Sequence, residues 1–211
     1  MTGLRRHTLV WLSQAPEAET EDDRARAAAW QAARRPFVVT RRRADGTNIG
    51  LGFCTTDPAH SQLRPRRVAA RTKPDGIART ARPPLLEEIA RCPAAAARAA
   101  SFSHLISAAA HAGIGIYVYG SWMWQALTGE RHVHEASDLD VVIDVAGHDE
   151  ASRVASLLAG EEQHLAFRID GELSFEGLGE VQWREILQGK DEVLLKSVDT
   201  LQLVPRARLS R

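Results

Sequence analysis

Asp138 and Asp140 stand two residues apart at the start of the apolar run Leu139–Val145 (LDVVIDV). In an extended strand, residues i and i+2 share a face. The two carboxylates therefore project together, while Leu139 and Val141 point into a core. Adjacent carboxylates repel unless something neutralises them. A hard divalent cation such as Mg²⁺ (or Mn²⁺) does so and takes oxygen ligands. Upstream, the apolar run Ile114–Tyr119 ends in Gly120-Ser121, and a helical stretch follows. Glycine lets the backbone approach a phosphate closely, and a helix N-terminus offers it unpaired N–H groups and a positive dipole end. Ser121 adds a hydroxyl donor. The chemistry implied is attack on a phosphate ester, catalysed mostly by positioning and charge neutralisation.

These residues need a strand–turn–helix unit and a neighbouring strand to hold them. From Pro83-Pro84 onward the sequence reads as a small mixed α/β arrangement. Leu85–Ala90 is helical, and an Ala-rich helix runs from Pro93 to about His111 with Gly113 as its C-cap. The strand Ile114–Tyr119, a helix over Trp122–Leu127, the strand Leu139–Val145 and a helix over Asp149–Ala159 follow. Phe167–Phe175 and Val181–Leu187 alternate around Glu176–Gly179 and read as a β-hairpin. Val193–Lys196 and Leu201–Val204 are short strands. Before the prolines, His7–Leu12, Phe37–Thr40 and Ile49–Cys54 read as strands, Asp45-Gly46 as a turn, and Glu17–Arg35 as a helix. Arg64–Arg82, with six arginines, one lysine and little apolar material, reads as an exposed loop. The expectation is an α+β chain of two domains: a small, basic, β-rich domain over 1–84 and a domain with a mixed sheet and helices over 85–211.

Length and composition suit a globular protein. The chain has 211 residues, 44% apolar and 26% charged, enough to bury a core. No apolar run is long enough to span a bilayer, and Met1–Leu12 has no secretory signal pattern. Cys54 and Cys92 form no metal-binding or disulfide framework, which fits a reduced, cytoplasmic setting. The net charge of zero is unevenly spread: residues 1–100 carry 18 Lys and Arg against 10 Asp and Glu, and residues 101–211 carry 9 against 17. The first half suits a polyanionic or acidic partner. The neutral total and the lack of interleaved aromatics in Arg64–Arg82 argue against nucleic acid.

A strand ending in Gly-Ser, followed by Asp-x-Asp on the next strand, resembles the DNA-polymerase-beta-like nucleotidyltransferase superfamily. The sixteen residues between Ser121 and Asp138 are more than in many members. That long segment narrows the match. Gly120-Ser121 followed by WMWQALTGE, then SDLDVVID, resembles the phosphoribosyl-dephospho-CoA transferases of malonate decarboxylase. So do Arg168-Ile169-Asp170-Gly171-Glu172, Trp183-Arg184-Glu185, the start from Arg6-His7 to Trp11, Arg41 to Arg43, and Pro83-Pro84-Leu85-Leu86. The resemblance implies a nucleotidyltransferase-fold catalytic domain. It also implies transfer of a 5-phosphoribosyl-dephospho-CoA group from triphosphoribosyl-dephospho-CoA to a serine of the acyl carrier protein subunit, with loss of pyrophosphate. Asp138 and Asp140 would hold the metal. A third carboxylate from a later strand, Asp170 or alternatively Glu172, would join them as base or ligand. Gly120, Ser121, Arg168 and Lys196 would contact phosphates.

Other readings stay open at this point. A nucleotidyltransferase with another protein or small-molecule acceptor would use the same Gly-Ser and Asp-x-Asp logic. A non-catalytic binding module would have no reason to keep two repelling aspartates. His132 and His134 invite a zinc reading, but no third soft ligand stands at a suitable spacing. Trp122 and Trp124 fall on different helix faces, one for the core and one open to stacking on a ligand. Arg168 and Arg184 either meet the triphosphate or pair with Glu172 and Glu185 across the hairpin.

Overall fold

The computed structural model describes residues 4–41, 48–56 and 65–210. Asp45-Gly46, Arg42, Arg43 and Arg64 lie outside these residues. The chain forms two compact units. The first comprises residues 1–83 with Leu127–His132 and Ser197–Thr200, and the second comprises the remainder from Pro84. Helices and two sheets together make an α+β protein.

The first unit is an antiparallel sheet of β1 (Leu9–Leu12), β2 (Phe37–Val39), β3 (Ile49–Thr55), β4 (Arg66–Thr72) and β5 (Ile77–Ala81), in the order β4-β3-β2-β1-β5. Helix α1 (Glu21–Ala32) is capped by Thr20, whose side chain accepts from the Asp23 N–H at 3.1 Å. Glu21, Asp22 and Asp23 fill its first turn, where the helix dipole favours negative charge. The core is aromatic: Phe53 meets Trp30 at 4.9 Å and Phe37 edge-on at 5.2 Å.

The basic stretch is not a loop. Arg66–Thr72 and Ile77–Ala81 are strands, because Val68, Ala70 and Thr72 alternate inward and are buried while the arginines point out. Small inward residues hid the period-2 signal. Arg66 pairs with Asp22 and Asp23 at 2.7 and 2.6 Å, and Arg71 with Glu17 at 2.8 Å, so much of the positive charge is answered locally.

The second unit is a six-stranded sheet, ordered β11-β10-β9-β8-β7-β6. Its strands are β6 (Tyr117–Val118), β7 (Leu139–Val145), β8 (Ile169–Phe175), β9 (Gly179–Gln182), β10 (Glu192–Lys196) and β11 (Leu201–Pro205). Strands β7 and β8 are parallel, joined by the crossover helix α5 (His148–Glu162), and the other pairings are antiparallel. Leu139, Val141, Ile143 and Val145 bury one face of β7 in a core shared with α2 (Leu86–Ala90), α3 (Ala99–Ala112), α4 (Gly120–Thr128) and α5. Gly113 ends α3 in the left-handed conformation at φ 68°.

Two expectations need correction here. Trp183–Leu187 is not the second strand of the hairpin but a short helix, α6. Trp183 and Ile186, three apart, are both buried, and helical spacing prevails over the two-residue alternation begun at Val181. Trp122 and Trp124 are also both buried, at 2% and 5% exposure. Trp122 meets Phe102 edge-on at 5.1 Å in the core, which leaves no tryptophan face of α4 open for stacking.

Candidate active site

The site grows from the junction of β6, α4 and β7. The Tyr119 N–H donates to the Asp140 carbonyl at 3.0 Å, which fixes the end of β6 against β7. The chain then turns at Gly120, whose φ of +67° only glycine adopts without strain. Glycine is required for a second reason. A Cβ here would lie 1.9 Å from one Asp140 carboxylate oxygen and 2.6 Å from its Cγ. The glycine backbone therefore lies directly against the Asp140 carboxylate, and α4 begins at that point with Ser121 half exposed in its first turn.

Asp138 directly precedes β7. The turn before it is closed by the His134 N–H donating to Ser137 Oγ at 2.8 Å and the Ser137 N–H donating to the His134 carbonyl at 3.1 Å. Leu139 and Val141 are fully buried, and Asp138 and Asp140 are half-buried on the opposite side, as strand alternation requires.

Strand β8 brings the later carboxylates alongside. Asp140 stands in register with Asp170, and Val142 with Glu172. Asp170 is half-buried, and its Oδ1 accepts from the Gln182 side-chain amide at 2.9 Å. Glu172 is 5% exposed and pairs with Lys196 at 2.9 Å. Lys196 thus sits on the carboxylate face with its ammonium held by Glu172.

The strand is anchored just before Asp170. Glu162 Oε1 accepts from the Ile169 N–H at 2.7 Å, and Glu162 is bound by Arg184 through both oxygens at 2.7 and 3.0 Å. Arg184 also donates to the Ile169 carbonyl at 3.2 Å, as does the Trp183 indole at 3.3 Å. Burial pushes the Glu162 carboxyl up, but its hydrogen bonds from Arg184 and Ile169 and the charges of Arg184 and Arg168 outweigh it. The net shift is below the ordinary glutamate value. Arg184 therefore pairs with Glu162, not with Glu185 across a hairpin. Glu185 instead accepts from the Leu194 N–H at 2.8 Å. Arg168 is exposed, and its carbonyl accepts from the Leu139 N–H at 2.8 Å, which ties the entry of β8 to that of β7.

Two contributors carry no signature in the sequence: Gln182 and Glu162. Glu130 belongs to the first unit. It pairs with Arg35 at 2.6 Å, accepts from Thr56 Oγ1 at 2.6 Å, and lies 3.9 Å from the buried His132. Burial raises the Glu130 carboxyl, but the bonds from Thr56 and Arg35 and the charges of Arg35 and His132 bring it below its ordinary value.

Asp138 and Asp140 are hard oxygen donors of the type Mg²⁺ selects. The absence of a side chain at Gly120 is what lets the Asp140 carboxylate lie against the turn that opens α4. Among the described residues, no three His, Cys, Asp or Glu side chains form a ready-made metal cage. Protein ligands alone do not enclose an ion here, and Mg²⁺ characteristically completes its shell with water and substrate phosphates. Cys54 and Cys92 form no disulfide. Among the described residues, no helix is long and apolar enough to cross a membrane.

Comparison with known proteins puts this α+β chain in the transferase class. Residues 5–83 match the N-terminal domain, and residues 84–207 the C-terminal domain, of phosphoribosyl-dephospho-CoA transferase MdcG. The chain belongs to this family. It is 36% identical over 206 residues to the phosphoribosyl-dephospho-CoA transferase of Xanthomonas axonopodis pv. citri, covering 97% of this chain and 95% of the relative. The protein of the same name from Bradyrhizobium diazoefficiens is 33% identical over 210 residues, covering 95% and 90%. No solved structure matches the chain.

Proposed function

We propose that this protein transfers the 5-phosphoribosyl-dephospho-CoA group from its triphosphate precursor to a serine of the malonate decarboxylase acyl carrier protein. The observation that carries the reading is the Gly120 turn lying against the Asp140 carboxylate, in a chain that family relatives match over nearly its whole length. The serine Oγ attacks the phosphorus next to the ribose. A phosphodiester P–O bond forms, the P–O bond to pyrophosphate breaks, and the serine proton is accepted by a carboxylate. Asp170, in register with Asp140, is the residue assigned to orient the serine or take its proton. The backbone at Gly120, the first N–H groups of α4 and the Ser121 hydroxyl cradle the departing pyrophosphate. Asp138 and Asp140 would hold Mg²⁺, which supplies neutralisation of the phosphate charge. Lys196 and Arg168 add positive charge at the edge of the same face.

The first unit is assigned to binding substrate or carrier protein. Its cavity of about 450 Å³ is lined by Trp11, Leu12, Gln31, Arg34, Arg35 and Arg79, with the Arg79 guanidinium 3.6 Å from the Trp11 ring centroid. Such a surface suits an anionic ligand.

Intact mass spectrometry of the apo carrier protein, incubated with enzyme, Mg²⁺ and the triphosphate precursor, tests the proposal. The expected result is a mass gain equal to one phosphoribosyl-dephospho-CoA group, abolished by EDTA. No gain with the precursor, alongside nucleotide transfer from ATP to another acceptor, would replace it with the general nucleotidyltransferase reading.

A further inference from the structure

We infer that Gln182 is a positioning residue that aims the Asp170 carboxylate. The inference rests on the assignment of Asp170 to the reaction. Gln182 occupies the last position of β9 and is also the N-cap of α6. It stands in register with Glu172, and from there its side chain reaches diagonally to Asp170. Both ends of its amide are engaged. Oε1 accepts from the Arg184 N–H at 2.8 Å, and Nε2 donates to Asp170 Oδ1 at 2.9 Å.

The two bonds fix each other. A backbone N–H can only donate and an ionised carboxylate only accepts. The amide oxygen must therefore face Arg184 and the NH₂ must face Asp170, and a flipped amide would lose both bonds. A glutamine side chain usually has many rotamers; here the helix cap holds it in one. The constraint passes to Asp170, whose Oδ1 is engaged and which stands in register with Asp140 on β7. The backbone on the near side of Asp170 is held as well, since both polar groups of Ile169 are bound, by Glu162, Arg184 and Trp183. Arg184 thus serves twice: its N–H orients Gln182, and its guanidinium holds the strand carrying Asp170. Partners of this kind around a ligating or reacting carboxylate typically contribute about 10–100-fold to activity or metal affinity.

A purely structural role for Gln182 would be capping α6, and one substitution separates the two. Serine is a favoured N-cap, so Gln182→Ser retains an acceptor for the Arg184 N–H but is too short to reach Asp170. Gln182→Ala removes both bonds. Gln182→Ser is expected to unfold near the wild-type temperature. Its kcat should fall roughly 10–100-fold with KM for the carrier protein unchanged. Its binding of Mn²⁺, read by loss of the free-ion electron paramagnetic resonance signal, should weaken. In an Asp170→Asn background the same substitution should cost nothing further, because its effect passes through Asp170. Wild-type kcat and Mn²⁺ affinity in Gln182→Ser, with Asp170→Asn inactive, would overturn the role of Gln182 alone. So would a loss of thermal stability in Gln182→Ser as large as that in Gln182→Ala. Full activity in Asp170→Asn would instead remove the assignment of Asp170, and the inference with it.

Discussion

Replacing Gly120 with alanine adds one methyl group at the tightest point of the site. The new Cβ would fall 1.9 Å from an Asp140 oxygen, whereas ordinary contact begins near 3.4 Å. The carboxylate must therefore retreat by roughly 1.5 Å, since the glycine backbone is held by β6 pairing and by α4 and cannot. The left-handed φ costs an L-residue about 1–2 kcal/mol, and pushing the Asp140 side chain off its rotamer adds about 0.5–1.5 kcal/mol. A loss of about 2–3 kcal/mol lowers the melting temperature of a chain of this size by roughly 4–12 °C. The protein thus stays folded at assay temperature while its catalysis collapses. Misplacing a reacting group by about 1 Å costs on the order of 100-fold in rate. Initial rates of carrier-protein modification, followed by mass spectrometry beside a thermal melt, read both quantities. A folded Gly120→Ala enzyme with the wild-type rate would refute the claim that the approach of Gly120 to Asp140 matters to the chemistry. Loss of activity explained wholly by unfolding would refute the energetic estimate.

Asp138→Asn and Asp140→Asn should each abolish transfer at unchanged fold, judged by circular dichroism, because neutralising a ligand weakens metal binding. Full activity in either would remove the pair from the mechanism. Lys196→Met should destabilise the protein by about 3 kcal/mol in urea unfolding. That is the low end for a broken buried ion pair, because Lys196 retains 27% side-chain exposure while Glu172 retains 6%. Adding Glu172→Gln should restore stability, and restoring activity as well would exclude Lys196 as a phosphate contact. In the folded state the Glu162 carboxyl lies below its ordinary value, so the unfolded chain binds its proton first as pH falls. Its contribution is complete above the unfolded value near 4.5 and is lost as pH drops through the lower folded value. Glu162→Gln should flatten the acid limb of the urea-midpoint profile, and an unchanged limb would contradict the assignment.

The placement of the carboxylate pair was more legible in the sequence than the packing around it. Asp138 and Asp140 could be placed on one face because strand alternation is a local rule, and Leu139 and Val141 are indeed buried opposite them. Gly113 and Gly120 likewise announced a cap and a turn, since left-handed backbone favours glycine. What stayed hidden was decided by tertiary partners. Arg66–Thr72 is a strand because a sheet was available for its small residues to face. Trp183 turned into a helix because Gln182 could cap it and the core could take Ile186. The attachment of Arg184 to Glu162, twenty-two residues earlier, follows from the β7–β8 crossover, and no spacing rule anticipates it.

Leu127–His132 belongs by its contacts to the first unit, although the chain has by then begun the second. Glu130 supplies the carboxylate that Arg35 and Thr56 engage. A ribosome adds about 5–20 residues per second, so the first unit waits several seconds after Pro83 emerges before that carboxylate exists. Until then Arg35 has lost its acidic partner, and the nascent first unit is incomplete. Severing the chain at Pro83-Pro84 would hold residues 1–83 in that interim state until the other half joins them, so the two halves of this enzyme are expected to reassemble better when co-expressed than when purified apart.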